Sequence, residues 1–482
     1  MFRYAVLAFL VSGALLLAAH PRPAAAIPVF ANGAGGVSCE LCHSAPPNLN
    51  AYGRYILATN FARALDAHKQ MQESLRDPIS VAVSVNQSNT PDPTLPPVYS
   101  DLVGVLAGGY FGPQVTYYAS VPIVEGGFPS SSVDQVWAAY NGIGSGNGSL
   151  QVGKFPTPIV APWLSQSLSL SGYTLAAMPV GLNTAGVGDN RWGASYSQIG
   201  HRGLIGTAAF VTNTGTFERA FDSDIDSGGE GQGYVGSLQF MAPQAHFTGG
   251  FGVMSGTFPL PSGAKDLYNR QMALVSYSTS PSYSINAMAL IGHDQNPNDG
   301  ETLGSGSNGW SFETIYSPRD WVHLDLRYER TNDGLGTIGN NYVTDVAFNP
   351  LPNLIITLEN VSAVGARPLM SYQILWAGPW IRHPFRAAPA SPAPAPETAA
   401  TNDAAAIAAG KQLYGTNCAA CHGADGQGGV GPNLHGIAKR MSFDQTVGKI
   451  ENPSGVMPKL YPGTLSAAQV NQIAAFIRSA FP

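Results

Sequence analysis

Two short motifs hold the residues best suited to chemistry: Cys418-Ala419-Ala420-Cys421-His422, and its echo Cys39-Glu40-Leu41-Cys42-His43. In each, two thiols stand three residues apart and an imidazole follows at once. Covalent c-type haem attachment requires that spacing. The thiols add to the two vinyl groups, and the adjacent histidine becomes the proximal iron ligand. The chain has four cysteines, and the two motifs use all of them. Small-loop disulfides or a redox Cys-x-x-Cys would leave both histidines as coincidences. The expectation is two covalent haem c groups, attached through Cys39, Cys42, Cys418 and Cys421, with His43 and His422 on the iron.

The second motif sits in a stretch of helical pattern, residues 403–482. Asp403 is placed to cap a helix running through Ala409 and Leu413-Tyr414 into the motif. Ser466 to Gln469 makes a capping box for a last helix over 467–480. Between them, Gly431-Pro432-Asn433-Leu434 offers a proline carbonyl to orient the imidazole. Met457, in Gly455-Val456-Met457-Pro458, is the expected sixth ligand, with Met441 and His435 as alternatives; a thioether there raises the iron potential. These features resemble class I cytochromes c, including Gly410 and Tyr414 placed to meet Phe476 of the closing helix. The resemblance implies single-electron transfer with both axial positions filled.

The first motif belongs to a smaller unit, 27–77. Asn60 to Arg76 reads as one helix, with Phe61, Leu65, His68 and Leu75 at helical spacing. His68 is the candidate sixth ligand and Met71 the next choice, although a solvated helix histidine is the plainer reading of His68. A residue pointing in from a neighbouring wall is another option: His201, His246, His293 or His323. About fifty residues cannot bury a haem alone, so this unit must lean on something larger.

Both motifs need export, and the chain begins accordingly. Residues 1–26 have a basic Arg3, an apolar run from Ala5 to Ala18 and a small-residue cleavage site at Ala24-Ala25-Ala26, the pattern of a signal peptide. No later stretch reaches the roughly 20 apolar residues of a spanning helix. A net charge of −6 offers no basic footprint for nucleic acid. Only 11% of residues are charged, while glycine (56) and tyrosine (20) abound, which suits a β-rich protein with a lipid-facing surface.

Residues 78–385 supply that surface. Val322, Leu324, Leu326 and Tyr328 alternate with His323, Asp325, Arg327 and Glu329, one face for lipid and one for a polar interior. About 16 such runs begin near residues 79, 101, 114, 133, 149, 190, 204, 232, 246, 271, 283, 309, 320, 341, 353 and 368. Short connections such as Gly112-Pro113, Ser280-Pro281, Ser317-Pro318-Arg319 and Asn349-Pro350 alternate with long loops near 87–99, 156–189, 214–231, 256–269 and 294–307. That alternation predicts an antiparallel outer-membrane β-barrel with its long loops outward and both chain ends in the periplasm. A β-sandwich or propeller seldom shows it. One loop, Asp222 to Glu230, sets carboxylates at alternate positions, as hard cations prefer, but lacks a full calcium-loop spacing and reads more simply as solvated. Residues 386–402 are a Pro/Ala linker.

The N-terminal pattern adds a second resemblance. Pro28, Phe30 and Ala31 before the first motif, then Pro47, Leu49, Asn50 and Gly53 and a porin-like barrel, resemble the fused monohaem cytochrome–porins of the outer membrane, some of which oxidise extracellular ferrous iron. The resemblance covers residues 27–385; the C-terminal cytochrome is a departure from it. It implies a haem plugging the barrel, an extracellular donor such as Fe(II), and an Fe(II):cytochrome c oxidoreductase activity. The partners it implies are a periplasmic c-type cytochrome or copper protein and outer-membrane lipid. The rival readings are a diffusion porin with attached redox units and a periplasmic peroxidase-like haem enzyme.

Overall fold

The computed structural model describes residues 43–45, 48–61, 79–89, 98–111, 114–130, 133–144, 147–159, 168–200, 203–212, 231–242, 246–280, 282–300, 304–319, 321–351, 354–379, 404–451, 453, 457–458, 460–461 and 464–481. A short hairpin, β1 (His43–Ala45) and β2 (Asn48–Leu49), leads into helix α1 (Ala51–Ala58). The strands that follow are β3 (Ile79–Ser88), β4 (Tyr99–Phe111), β5 (Val115–Glu125), the two-residue β6 (Phe128–Pro129), β7 (Gln135–Ile143), β8 (Gly148–Pro156), β9 (Asn190–Ile199) and β10 (Leu204–Thr212). Then come β11 (Gln232–Ala242), β12 (Phe247–Pro259), β13 (Lys265–Ser280), β14 (Tyr283–Asp294) and β15 (Ser305–Arg319). The last are β16 (Val322–Asn332), β17 (Ile338–Leu351), β18 (Leu354–Ala363) and β19 (Leu369–Pro379).

With β6 set aside as part of a hairpin loop, sixteen antiparallel strands close into a barrel, β19 pairing with β3 so that Pro379 lies opposite Ser80. Closure matters because a membrane leaves no water for an unpaired strand edge. The expected fold class and strand number hold. The even count returns the chain to the rim where it entered, the rim of the short turns.

The period-two pattern became the two faces of the wall. On β16, His323, Asp325, Arg327 and Glu329 are buried, while Leu326 faces outward with half its surface exposed. Outward positions elsewhere carry Leu238, Phe251, Leu267, Ile291 and Tyr342. Aromatic rows mark both rims. Trp310 meets Tyr328 edge-on at 5.0 Å, and Tyr328 meets Tyr342 at a tilt at 4.7 Å, a row across three strands near the long-loop rim. Phe111 stacks on Tyr117 at 4.5 Å at the other. Such belts are where a barrel meets the two membrane interfaces.

Three expectations need correction. Asn60 and Phe61 adopt left-handed backbone (φ 51° and 60°), so they end a helix instead of beginning one; the remainder of the expected 60–76 helix lies outside the described residues. The stretch 256–269 is not a long loop, since β12 and β13 extend to within Leu260–Ala264 of each other. The third is the loop after β8, of which the stretch 168–189 turns inward and packs inside the barrel.

The C-terminal unit contains α2 (Ala404–Asn417), α3 (Ala419–His422), α4 (Ile437–Arg440), α5 (Phe443–Glu451) and α6 (Ala467–Ala480). Asp403, the expected cap of α2, is outside the described residues, but the capping box of α6 is present: Ser466 Oγ accepts from the Gln469 amide, and Gln469 Oε1 accepts from the Ser466 amide. Helices α2 and α6 pack so closely at Gly410 that a β-carbon there would sit 2.0 Å from the Gln472 carbonyl. One turn on, the Tyr414 ring meets Phe476 at 5.3 Å and Phe481 at 5.4 Å.

Candidate haem sites and the barrel lumen

In the C-terminal unit the residues fit haem c. Cys418 and Cys421 are free thiols on one helical turn, not bridged to each other. Burial pushes both up to about 12, so both stay protonated at neutral pH. The His422 ring is nearly buried, and its Nδ1 lies 2.8 Å from the Pro432 carbonyl. A carbonyl only accepts, so Nδ1 is the protonated nitrogen and Nε2 is left as the free base. Burial holds His422 below its ordinary value, partly opposed by that carbonyl. Gly431 lies against the ring, where a β-carbon would come within 2.8 Å of it. Tyr414 braces the loop by donating to the Gly423 carbonyl at 2.7 Å. Met457 and Met441 are both half-buried against this core, whereas His435 is exposed, its ring edge on Phe481 at 5.6 Å.

Residues 405–477 match the family described as cytochrome C oxidase, cbb3-type, subunit III. The C-terminal unit is a cytochrome c domain. No curated protein matches this chain. Solved structures similar to the barrel include an anion-selective porin from Comamonas acidovorans (11% identity, TM-score 0.46, covering 62% of this chain and 98% of that one). Others are a loop-deletion mutant of the outer membrane protein OmpT of Vibrio cholerae (12%, 0.43, 62% and 97%) and the outer membrane channel DcaP of Acinetobacter baumannii (8%, 0.43, 62% and 96%).

At the N-terminal site, Cys39, Cys42, His68 and Met71 lie outside the described residues. His43 is buried, in β1 opposite Leu49. The motif residues after it build α1: Asn50 caps the helix by accepting from the Gly53 amide at 2.9 Å, and Leu49 enters the buried apolar cluster. Helix α1 lies inside the barrel. Arg54, 1% exposed, donates to Ser276 Oγ and to Asn286 Oδ1, both inward-facing near the short-turn rim. Asn60 closes the contact, its amide donating to Ser149 Oγ at 3.0 Å while its carbonyl accepts from Thr116 Oγ1 at 2.7 Å. Phe61 stacks on Trp137 at 5.9 Å. The described part of this unit leans on the barrel wall.

The wall histidines are reduced as candidates. His293 sits at an outward, exposed position of β14, since its neighbour Asp294 takes the inward one. His246 stands in the turn before β12 with φ 56°. His323 does face inward, but both ring nitrogens are engaged, Nδ1 with Ser317 Oγ at 2.9 Å and Nε2 with the Asn349 amide at 3.1 Å. His201 is outside the described residues.

From the opposite rim the inward loop reaches into the lumen and bonds to its wall. The Tyr173 hydroxyl donates to Glu313, Thr174 to Glu329 through its hydroxyl (2.6 Å) and amide, and Ser169 Oγ and the Ser171 amide to Glu359 at 2.7 and 2.9 Å. Arg327 returns two bonds to the carbonyls of Ser171 and Gly172, its guanidinium 4.5 Å above the Tyr173 ring. Farther along, Asn183 donates to Asp266 (2.7 Å) and Asp294 (3.0 Å), the latter paired with Arg270. Sequence reasoning missed this infolding. One signal was available: residues 168–188 contain no charged side chain, although the wall they meet is rich in them.

Proposed function

We propose that this chain is an outer-membrane electron-transfer protein carrying two haem c groups, and that it passes electrons between an extracellular donor and periplasmic carriers. The observation that carries this reading is the union, in one chain, of a closed barrel with an apolar outer face and a cytochrome c domain. Haem c supplies reversible one-electron exchange when bound. The protein supplies the positions: Cys418, Cys421 and His422 in one unit, and Cys39, Cys42 and His43 ahead of a helix seated in the barrel. Met457 is the assigned sixth ligand of the C-terminal group. His68 remains the assignment for the N-terminal one, now that the wall histidines at 293 and 323 are turned outward or engaged.

Fe(II) is the external donor we assign, from the resemblance to iron-oxidising cytochrome–porins; a soluble c-type cytochrome or a copper protein is the periplasmic partner. The open-porin reading fits less well. Helix α1 enters the lumen from the short-turn rim and the 168–189 segment from the other, and the two meet through the wall: Asn286 accepts from Arg54 of the helix and donates to Glu313, to which Tyr173 of the segment also donates.

The test is haem stoichiometry in the purified protein. Two covalent haems are expected per chain, falling to one in C418S/C421S and to one in C39S/C42S. A wild type that carries one haem, unchanged in C39S/C42S and lost in C418S/C421S, would remove the N-terminal site and the conduit with it.

A further inference from the structure

The lumen wall beneath Tyr173 carries more carboxylates than its neighbours balance. Glu313 on β15, Asp325 and Glu329 on β16, Asp345 on β17 and Glu359 on β18 are all buried, and Arg327 is the guanidinium set among them. The inward loop spends its donors on the glutamates, as the bonds to Glu313, Glu329 and Glu359 show. The two aspartates receive none. All four of their carboxylate oxygens are buried, and no hydrogen-bond donor among the described residues reaches them. Each is 0% exposed.

Register sharpens the problem. Asp325 stands directly opposite Asp345, and Asp345 directly opposite Glu359. Directly opposed side chains on neighbouring strands start about 5 Å apart, a distance at which like charges repel. The Asp325 carboxyl is also within hydrogen-bonding reach of Glu313, and that of Asp345 within reach of Glu359. Acceptor faces acceptor along four strands, β15 to β18. Ionised carboxylates have only lone pairs to offer, so a ligand that satisfies them must bring positive charge.

We propose that Asp325 and Asp345 hold a hard divalent cation, of the Ca²⁺ or Mg²⁺ class, on the inner wall of the barrel. Such ions take carboxylate oxygens, and one or two carboxylates suffice where water completes the shell. In the present geometry no three acidic, histidine or cysteine side chains converge on one point among the described residues. The cation therefore rests on the aspartate pair, while Glu313 and Glu359 keep their bonds to the loop. By neutralising the wall it fixes β16, β17 and β18 under the Ser169–Leu175 segment. This site is independent of the haem reading and of the acidic stretch at Asp222, Asp224 and Asp226.

The test uses the full-length, haem-loaded protein in detergent, stripped with a chelator and titrated with Mn²⁺, whose free form is counted by electron paramagnetic resonance. Wild type and D222N/D224N/D226N should each bind one Mn²⁺ per chain at this site, displaced by Ca²⁺ or Mg²⁺. D325N/D345N should lose that binding, and D345N alone should weaken it at least tenfold. Asparagine keeps the shape of aspartate, and heat-modifiable migration on gels checks that each barrel is closed. Binding that survives in D325N/D345N, or that disappears in the 222–226 variant, overturns the proposal. So does a wild type that binds no Mn²⁺ and whose melting is indifferent to chelator but shifts with acid, which would assign the pair to shared protons.

Discussion

The Tyr173 hydroxyl lies 2.8 Å from each carboxylate oxygen of Glu313, and the same carboxylate accepts from Asn286, which in turn accepts from Arg54. A loop entering from one rim and a helix entering from the other therefore share one anchor on the wall. Replacing Tyr173 by Phe removes one hydrogen bond, worth about 1 kcal/mol, and should raise small-sugar entry in liposome swelling only slightly. Glu313→Ala strands the Tyr173 hydroxyl and the Asn286 amide together and takes one of two carboxylates from Arg327, and should open the lumen markedly. Equal, unchanged permeability in both variants would mean that this anchor does not close the pore.

Arg54 reaches the barrel from α1 through Ser276 and Asn286. Arg54→Ala leaves those two groups unsatisfied in a buried site and should release the N-terminal segment. Limited proteolysis should then remove the first haem-bearing stretch several-fold faster while the barrel stays closed. Unchanged cleavage would assign docking to Asn60 and Phe61 instead.

Two glycines of α2 make a matched pair. A β-carbon at Gly410 would meet the Gln472 carbonyl at 2.0 Å, whereas nothing lies within 4 Å of one at Gly415. Gly410→Ala should cost the cytochrome domain about 1–3 kcal/mol by forcing α2 from α6. Gly415→Ala should be neutral or stabilising by up to about 1 kcal/mol through helix propensity. Thermal unfolding followed at the haem absorbance separates the two.

Gly431 presses on the ring that Pro432 orients. Gly431→Ala should twist His422 from the bond it makes with that carbonyl, shifting the reduction potential of the C-terminal haem without changing the covalent attachment. A potential equal to wild type would show that the loop yields instead.

Much of this was legible in the residues because a barrel wall writes itself in period two. The alternation on β16 placed Asp325, Arg327 and Glu329 inside and Leu326 outside, as found. The starts of β13 and β15 were set too late, by six and four residues, for a physical reason: Asp266 and Arg270 look like loop residues, yet a polar lumen gives them partners such as Asn183 and Asp294. Helix α1 was hidden by its length of eight residues and by Gly53, whose amide serves the Asn50 cap. The infolded loop could not be read from turn chemistry, because what draws it inward is a set of carboxylates far away in sequence, Glu313, Glu329 and Glu359. In the cytochrome domain, contacts of short range were easier: the Gly410–Phe476 approach, the Ser466–Gln469 box and the Pro432 carbonyl on His422 all stand where the sequence put them.

The most direct test of the account is electron transfer across a sealed proteoliposome holding the haem-loaded protein, its orientation checked by protease. Fe²⁺ is added outside and an oxidised c-type cytochrome is trapped within. The account predicts reduction of the trapped cytochrome, lost in His43→Ala, while small solutes remain excluded. Free solute passage without reduction would contradict it and leave a porin that carries a cytochrome.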